Sequence, residues 1–213
     1  MTVTTWNPSD KSANVTLSGS NLVATSTGAG AVRSIGNSYS TGLIYFEIDV
    51  TAQTSDLSIG IANAAETLSN AEQLGSTTNS VGCYTEFNDG ELFLNNSALI
   101  GGGGASGSIL GVHAFAFDFT ASPPEVWWSA PNFRASSVPW NKSGTANPST
   151  LTGGVVLTGI SAGPYMIAFG TDASGGSVTL ATGSGGFSLA VPSGFTGWDA
   201  ELLNETATMF MGM

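Results

Sequence analysis

Apolar and polar side chains alternate most regularly between His113 and Phe119. Phe115, Phe117 and Phe119 share one face with His113, while Ala114, Ala116 and Asp118 share the other. Three phenyl rings on one face predict a strand whose inner side meets a core. Thr120–Pro124 ends the pattern, because Pro123 and Pro124 cannot donate to a ladder and the chain must turn. Glu125–Ser129 is the predicted return strand. Its adjacent tryptophans, Trp127 and Trp128, must face opposite sides. One therefore joins the core, and the other is either covered by something else or exposed. This hairpin is the predicted centre of an all-β domain.

The same periodicity places the other elements. Val15–Ser18 and Leu22–Ser26 flank Gly19-Ser20-Asn21 as a hairpin, and Ala31–Ile35 is a third short strand. In Gly42–Val50, residues Ile44, Phe46, Ile48 and Val50 face one way and Tyr45, Glu47 and Asp49 the other. That predicts a half-buried strand with a polar outward face. Ser58–Ala62 is a short apolar strand. Residues 64–74 are the only helix-like stretch, one or two turns without an apolar stripe. Val81–Phe87 and Glu91–Leu94 form a hairpin across Asn88-Asp89-Gly90. Tyr165–Gly170 and Ser177–Thr182 read as a strand pair around Ser174-Gly175-Gly176, and a last apolar passage runs from Phe187 to Trp198. Short, regularly spaced strands without amphipathic helices predict an antiparallel β-sandwich of jelly-roll type.

Composition narrows the functional classes. A chain of 213 residues is one sandwich-sized domain, and 29 glycines with 9% charged residues suit strands and turns. The net charge is -11, with Lys11, Arg33, Arg134 and Lys142 as the cations. Nucleic-acid binding and attraction to anionic membranes need clustered basic residues and are excluded. The residues after Met1 show neither a basic nor an apolar signal region, and no apolar run approaches the about 20 residues of a membrane helix. The expectation is a cytoplasmic protein without membrane insertion, unless it belongs to a particle. The single cysteine, Cys83, excludes an internal disulfide framework. Glycosylation-type triplets at Asn14, Asn95, Asn141 and Asn204 read as accidental matches in a Ser/Thr-rich chain.

Several segments in order carry a family resemblance. Gly42-Leu43-Ile44-Tyr45-Phe46-Glu47 resembles the G-x-x-YFE strand of SPRY domains. Ser58–Ala62 and Val81-Gly82-Cys83-Tyr84 resemble the strands that follow it. Gly107-Ser108-Ile109-Leu110-Gly111-Val112, with Phe117-Asp118, resembles the G-D-V-I-G-V…D segment. Val126-Trp127-Trp128, Trp140-Asn141, Asn147-Pro148, Thr152-Gly153-Gly154, Gly163-Pro164-Tyr165 and Val191-Pro192-Ser193-Gly194-Phe195 look like the bacterial and phage branch of the family. The resemblance spans Trp6 to Trp198. Ser108 departs from the family's usual Asp, and the loop after Trp128 lacks the usual Asn-Gly. The resemblance implies a concanavalin A-like jelly roll that binds protein or carbohydrate, without catalytic apparatus. Residues 1–198 would form this sandwich and 199–213 a tail.

The candidate chemistry is sparse. Gly102–Gly107 matches G-x-G-x-x-G, but a phosphate cradle needs a helix to follow and Ile109–Phe119 reads as strand. Glu47-Ile48-Asp49 resembles part of a jelly-roll β-glucanase acid motif. Thr51, Ala52 and Gln53 stand where the second Glu should fall, so no acid would protonate a leaving group. A Cys83–His113 dyad is the weaker reading beside a core histidine and a buried thiol. One His and one Cys cannot supply a zinc site, and Asn88, Asp89 and Glu91 match no calcium-loop spacing. The sequence predicts no enzyme, cofactor or metal.

What remains is a cluster of aromatic and polar residues: Trp127, Trp128, Phe133, Arg134, Trp140, Asn141 and Lys142. Tryptophan near arginine suits a protein hot spot, and tryptophan with asparagine suits sugar stacking. Trp140 reads equally as a plug at the end of the sandwich. The leading expectation is a bacteriophage virion surface protein, either a capsid decoration or a tail or fibre component. Its partners would be other virion proteins, a second copy of itself, or a host-surface glycan or protein. The alternative is a free lectin-like module. In the tail, Leu202, Leu203, Met209, Phe210 and Met211 are candidate assembly residues, because apolar side chains at a chain end need cover.

Overall fold

The computed structural model describes residues 3–53, 56–69, 73–85, 90–101, 109–183 and 185–199. Its strands, in chain order, are β1 (Thr5–Lys11), β2 (Val15–Ser18), β3 (Val23–Thr27), β4 (Gly30–Ile35), β5 (Leu43–Ala52), β6 (Leu57–Asn63), β7 (Ser80–Tyr84) and β8 (Glu91–Leu94). They continue as β9 (Ser97–Ile100), β10 (Gly111–Asp118), β11 (Glu125–Ser129), β12 (Val155–Val156), β13 (Tyr165–Thr171), β14 (Ser174–Ala181) and β15 (Thr196–Gly197). Among the described residues one short α-helix, α1 (Pro131–Ala135), follows β11, and a 3-10 turn spans Pro148–Thr150. The first sheet has the order β1-β4-β13-β6-β7-β8-β9. The second has the order β12-β11-β10-β5-β14-β3-β2, with β15 added on β5. All pairings are antiparallel except β15 on β5. The protein is an antiparallel β-sandwich, as its alternating pattern predicts.

The Phe-rich hairpin lies inside the second sheet. β10 pairs β5 from Gly111↔Val50 to Asp118↔Leu43, which sets Phe115 opposite Phe46. Side chains of matching parity share a face, so the inner residues of both strands meet. The Phe46 and Phe115 rings stack at 4.9 Å, Phe117 and Phe119 at 5.2 Å, and Phe119 meets Tyr165 of the opposite sheet at 5.3 Å. Trp198 stands edge-on to Phe46 at 5.2 Å. This aromatic column, with Ile48, Ile59, Ile61, Ile167 and Phe169, is the core between the sheets.

Part of the outward face of the second sheet, over β5, β10 and β11, is buried as well. Tyr45, Ala114, Ala116 and Trp127 form a second apolar layer with Ala146 and Phe195, against which Phe187, Leu189 and Val191 pack. The predicted polar outer face of β5 is thus corrected at Tyr45 and Glu47, which are 0% and 1% exposed, while Asp49 stays half-buried. The passage 187–199 lies over it as a strap. β14 pairs β5 only as far as Glu47, and β15 pairs the next stretch, Ile44 and Tyr45.

Two further expectations change. β13 and β14 are not partners, since β13 lies between β4 and β6 while β14 lies between β5 and β3. The short turn between them carries the chain from one sheet to the other. The described residues of 64–74 form turns rather than α-helix, and the helix is α1, where Ala130-Pro131 places proline at a helix start. Near those turns Leu74 lies against the first sheet, and a Cβ on Gly82 would fall 2.2 Å from the Leu74 carbonyl oxygen. β7 and β8 pair as predicted, but the turn residues 86–89 and the glycine loop 102–108 lie outside the described residues. So do Leu202, Leu203, Met209, Phe210 and Met211.

Candidate functional site

The candidate residues cluster where β11 leaves the sheet and the chain runs through α1 toward β12. The cluster divides between framework and surface. Both tryptophans of β11 are fully buried. Trp128 points into the core, where its Nε1–H donates to His113 Nδ1 at 3.2 Å and its ring stacks on the imidazole at 5.9 Å. His113 Nε2 lies 2.9 Å from the Ile109 carbonyl oxygen. Together these contacts select the neutral tautomer with hydrogen on Nε2. Burial pushes the His113 pKa down to about 4, so the ring is uncharged at neutral pH. Cys83 is buried in β7 of the other sheet, and burial raises its thiol well above the ordinary range. The cause of the shift is burial, with no charged partner drawing the thiol down.

Trp127 points outward into the second layer, with Phe195 edge-on at 6.1 Å and Nε1–H donating to the Thr152 carbonyl at 2.8 Å. Asn141 is also framework. β12 pairs only with Glu125 and Val126, which leaves the Trp128 backbone at the sheet edge. Asn141 completes it: its N–H donates to Trp128 O at 2.9 Å, and its Oδ1 accepts from Trp128 N at 2.8 Å. Its Nδ2 donates to Val126 O at 3.1 Å and Gly153 O at 3.0 Å. The residue adopts φ 50°, a conformation asparagine tolerates better than most. Trp140 is half-buried against the outer layer.

The four cations are held as well. Arg134 donates to Ser129 Oγ at 3.0 Å and Val112 O at 2.8 Å, and burial lowers its pKa. Arg33 pairs Asp10 at 2.7 Å and donates to the carbonyls of Asn63 and Glu66. Lys11 donates to Val15 O at 2.7 Å. Lys142 donates to Gly101 O at 3.0 Å and sits 5.7 Å above the Phe133 ring. Such dispersed, individually anchored cations form no basic surface.

Phe133 and Lys142 are the two predicted residues that the fold brings together in a surface pocket, which Asn132, Ser136 and Val138 also line. Phe133 is 2% exposed and packs edge-on to Trp128 at 4.8 Å, so the pocket floor rests on the core. The pocket offers one ammonium, an amide, a hydroxyl and apolar walls. None of its five described lining residues is a histidine, cysteine, aspartate or glutamate. Sequence reasoning missed Asn132, Ser136 and Val138. The one available signal was their position around a proline-started turn beside the aromatic pair.

Glu47 was also misplaced. Tyr45 O–H donates to its Oε1 at 2.6 Å, and the strap adds Leu189 N–H to Oε1 at 2.9 Å and Ser188 N–H to Oε2 at 2.7 Å. Burial, then the bond to Glu47, push the Tyr45 phenol up. The carboxylate works as a fastener for the strap. Among the described residues no group of three or more His, Cys, Asp or Glu side chains could hold a metal ion. No described helix is long and apolar enough to cross a membrane.

Two facing antiparallel sheets, closed over by a C-terminal strap, define a SPRY-like sandwich. The solved structures to which it is similar include the TRIM65 PSpry domain, with TM-score 0.56 and 12% identity over 83% of this chain and 90% of that one. Another is stonustoxin, with TM-score 0.51 and 14% identity over 83% of this chain but 26% of that one. At such identities the likeness concerns the fold. No family model matches the sequence. No curated protein matches it significantly.

Proposed function

We propose that the chain is a non-catalytic protein-binding module, carried on a bacteriophage particle as a capsid decoration or a tail or fibre component. The observation that carries the binding reading is the pocket beside α1, where Lys142 and the apolar Phe133 and Val138 meet at the surface. An ammonium beside apolar walls suits a protein segment that pairs a carboxylate with an aliphatic or aromatic side chain. Glu47 supports the non-catalytic reading. Its oxygens are taken by Tyr45, Ser188 and Leu189 beneath the strap, out of reach of a glycosidic bond. The bacterial and phage motif pattern, with a net charge of -11, supports the particle surface as its setting.

A protein partner is favoured over a sugar because the ring-and-amide pair needed for stacking is committed elsewhere. Trp140 is half-buried, and the Asn141 amide bonds three backbone groups. The test is mass spectrometry and immunogold imaging of purified particles, followed by binding of the purified protein to particle components. Lys142→Glu is expected to weaken that binding at least tenfold while the melting temperature holds. Absence from particles would overturn the virion setting. Glycan binding lost in Trp140→Ala would establish a lectin instead.

A further inference from the structure

The last described residue, Asp199, is a clamp. Its Oδ2 accepts from Thr4 N at 3.0 Å and Thr182 Oγ1 at 2.5 Å. Its Oδ1 accepts from Thr4 Oγ1 at 2.6 Å and Asn37 Nδ2 at 2.9 Å, and its own N–H donates to Thr182 O at 2.9 Å. The carboxylate is 5% exposed. The neighbours of the clamped residues in sequence, Val3 on one side and Ala181 and Gly183 on the other, line a surface groove whose walls include Leu22 and Leu180. The groove therefore opens where the described chain ends. Among the described residues its lining carries no charged side chain, and Val3 is 56% exposed. A Cβ at Gly183 or Gly185 would meet nothing within 4 Å, so the rim is open.

The chain that follows reads Ala200-Glu201-Leu202-Leu203-Asn204. At roughly 3.3–3.6 Å per residue, Leu202 and Leu203 can reach about 10–14 Å from the clamped Asp199. That range covers a groove that begins at Asp199's own hydrogen-bond partners. We propose that the groove is the docking site of the chain's own Leu202-Leu203 segment, seated against Val3, Leu22 and Leu180. The same chain is favoured over a second copy because a tether of three residues sets an effective concentration on the order of millimolar. An apolar pair entering an uncharged groove loses water from both surfaces, while Glu201 and Asn204 on either side can stay solvated. The proposal is independent of the virion setting.

The test uses the full chain with Val3→Cys and Leu203→Cys under mild oxidation. The native thiol does not compete, since Cys83 is buried. The expected result is a disulfide within one chain, formed at least tenfold faster than in a control pairing Leu203→Cys with Ser97→Cys on the first sheet. A link only between two chains, or no preference over the control, overturns the proposal. In a second measurement, Leu202→Asp with Leu203→Asp is expected to raise binding of a hydrophobic dye severalfold without loss of the sandwich circular-dichroism spectrum. Unchanged dye binding also overturns it.

Discussion

Asn141→Ala should lower stability by about 3 kcal/mol, and the structure shows where that loss arises. The substitution deletes the acceptor for the Trp128 N–H, on a strand residue whose side chain is wholly buried. A buried donor left without a partner costs about 1–3 kcal/mol. The bond to Val126 O is partly buried and contributes about 0.5–1.5 kcal/mol, and the bond to Gly153 O is exposed and contributes little. Alanine at φ 50° adds about 1 kcal/mol. For a domain of this size each kcal/mol moves the melting temperature by about 2–4 °C, so a fall of about 6–12 °C is expected. Asn141→Gly separates the two causes, since glycine adopts the same φ freely and should recover only the backbone part. Differential scanning calorimetry of the three proteins is the assay. An unchanged melting temperature in Asn141→Ala would refute the view that this side chain finishes the sheet edge, and would return it to the candidate ligand contacts.

Three further outcomes are expected. Because the folded His113 holds its proton less tightly than an ordinary histidine, the unfolded chain binds more protons between about pH 4 and 6.5. Stability present at pH 7 should therefore fall by roughly 3 kcal/mol toward pH 4. Chemical denaturation across that range should show the slope in the natural protein and lose most of it in His113→Gln; an equal slope in both would sink the assignment. Glu47→Gln turns one acceptor oxygen under the strap into a donor facing Tyr45, Ser188 or Leu189, at a cost of about 1–3 kcal/mol. Limited proteolysis should then cut within 187–195 faster than in the natural chain, and equal rates would show that Glu47 does not fasten the strap. Gly82→Ala forces a methyl against the Leu74 backbone and should destabilise by about 1–3 kcal/mol, read as a lower denaturation midpoint. An unshifted midpoint would mean that the Leu74 turn moves aside freely.

The all-β class, the inner faces of β5 and β10 and the β10–β11 hairpin were legible in the sequence, because a period of two is imposed by the strand itself. Phe46 and Phe115 could be assigned to a core without knowing their partner. The opposite placement of Trp127 and Trp128 followed from adjacency. Alternation cannot say what covers the other face. That Tyr45, Ala114, Ala116 and Trp127 are buried depends on Phe187 and Phe195 folding back from far along the chain. Glu47 looked like a solvent-facing charge because its hydrogen-bond donors, Ser188 and Leu189, are 141 and 142 residues away. Asn141 looked like a ligand contact for the same reason, since the backbone it serves becomes a sheet edge only once β12 stops short. The turn after β13 was visible as glycine and serine, yet turn chemistry does not choose between joining neighbours and joining sheets. That choice belonged to long-range pairing, with β4 and β6 claiming one strand and β5 and β3 the other. Local sterics sets periodicity and turns within a few residues, whereas burial, polar satisfaction and strand partnership are settled only when distant segments compete for the same surface.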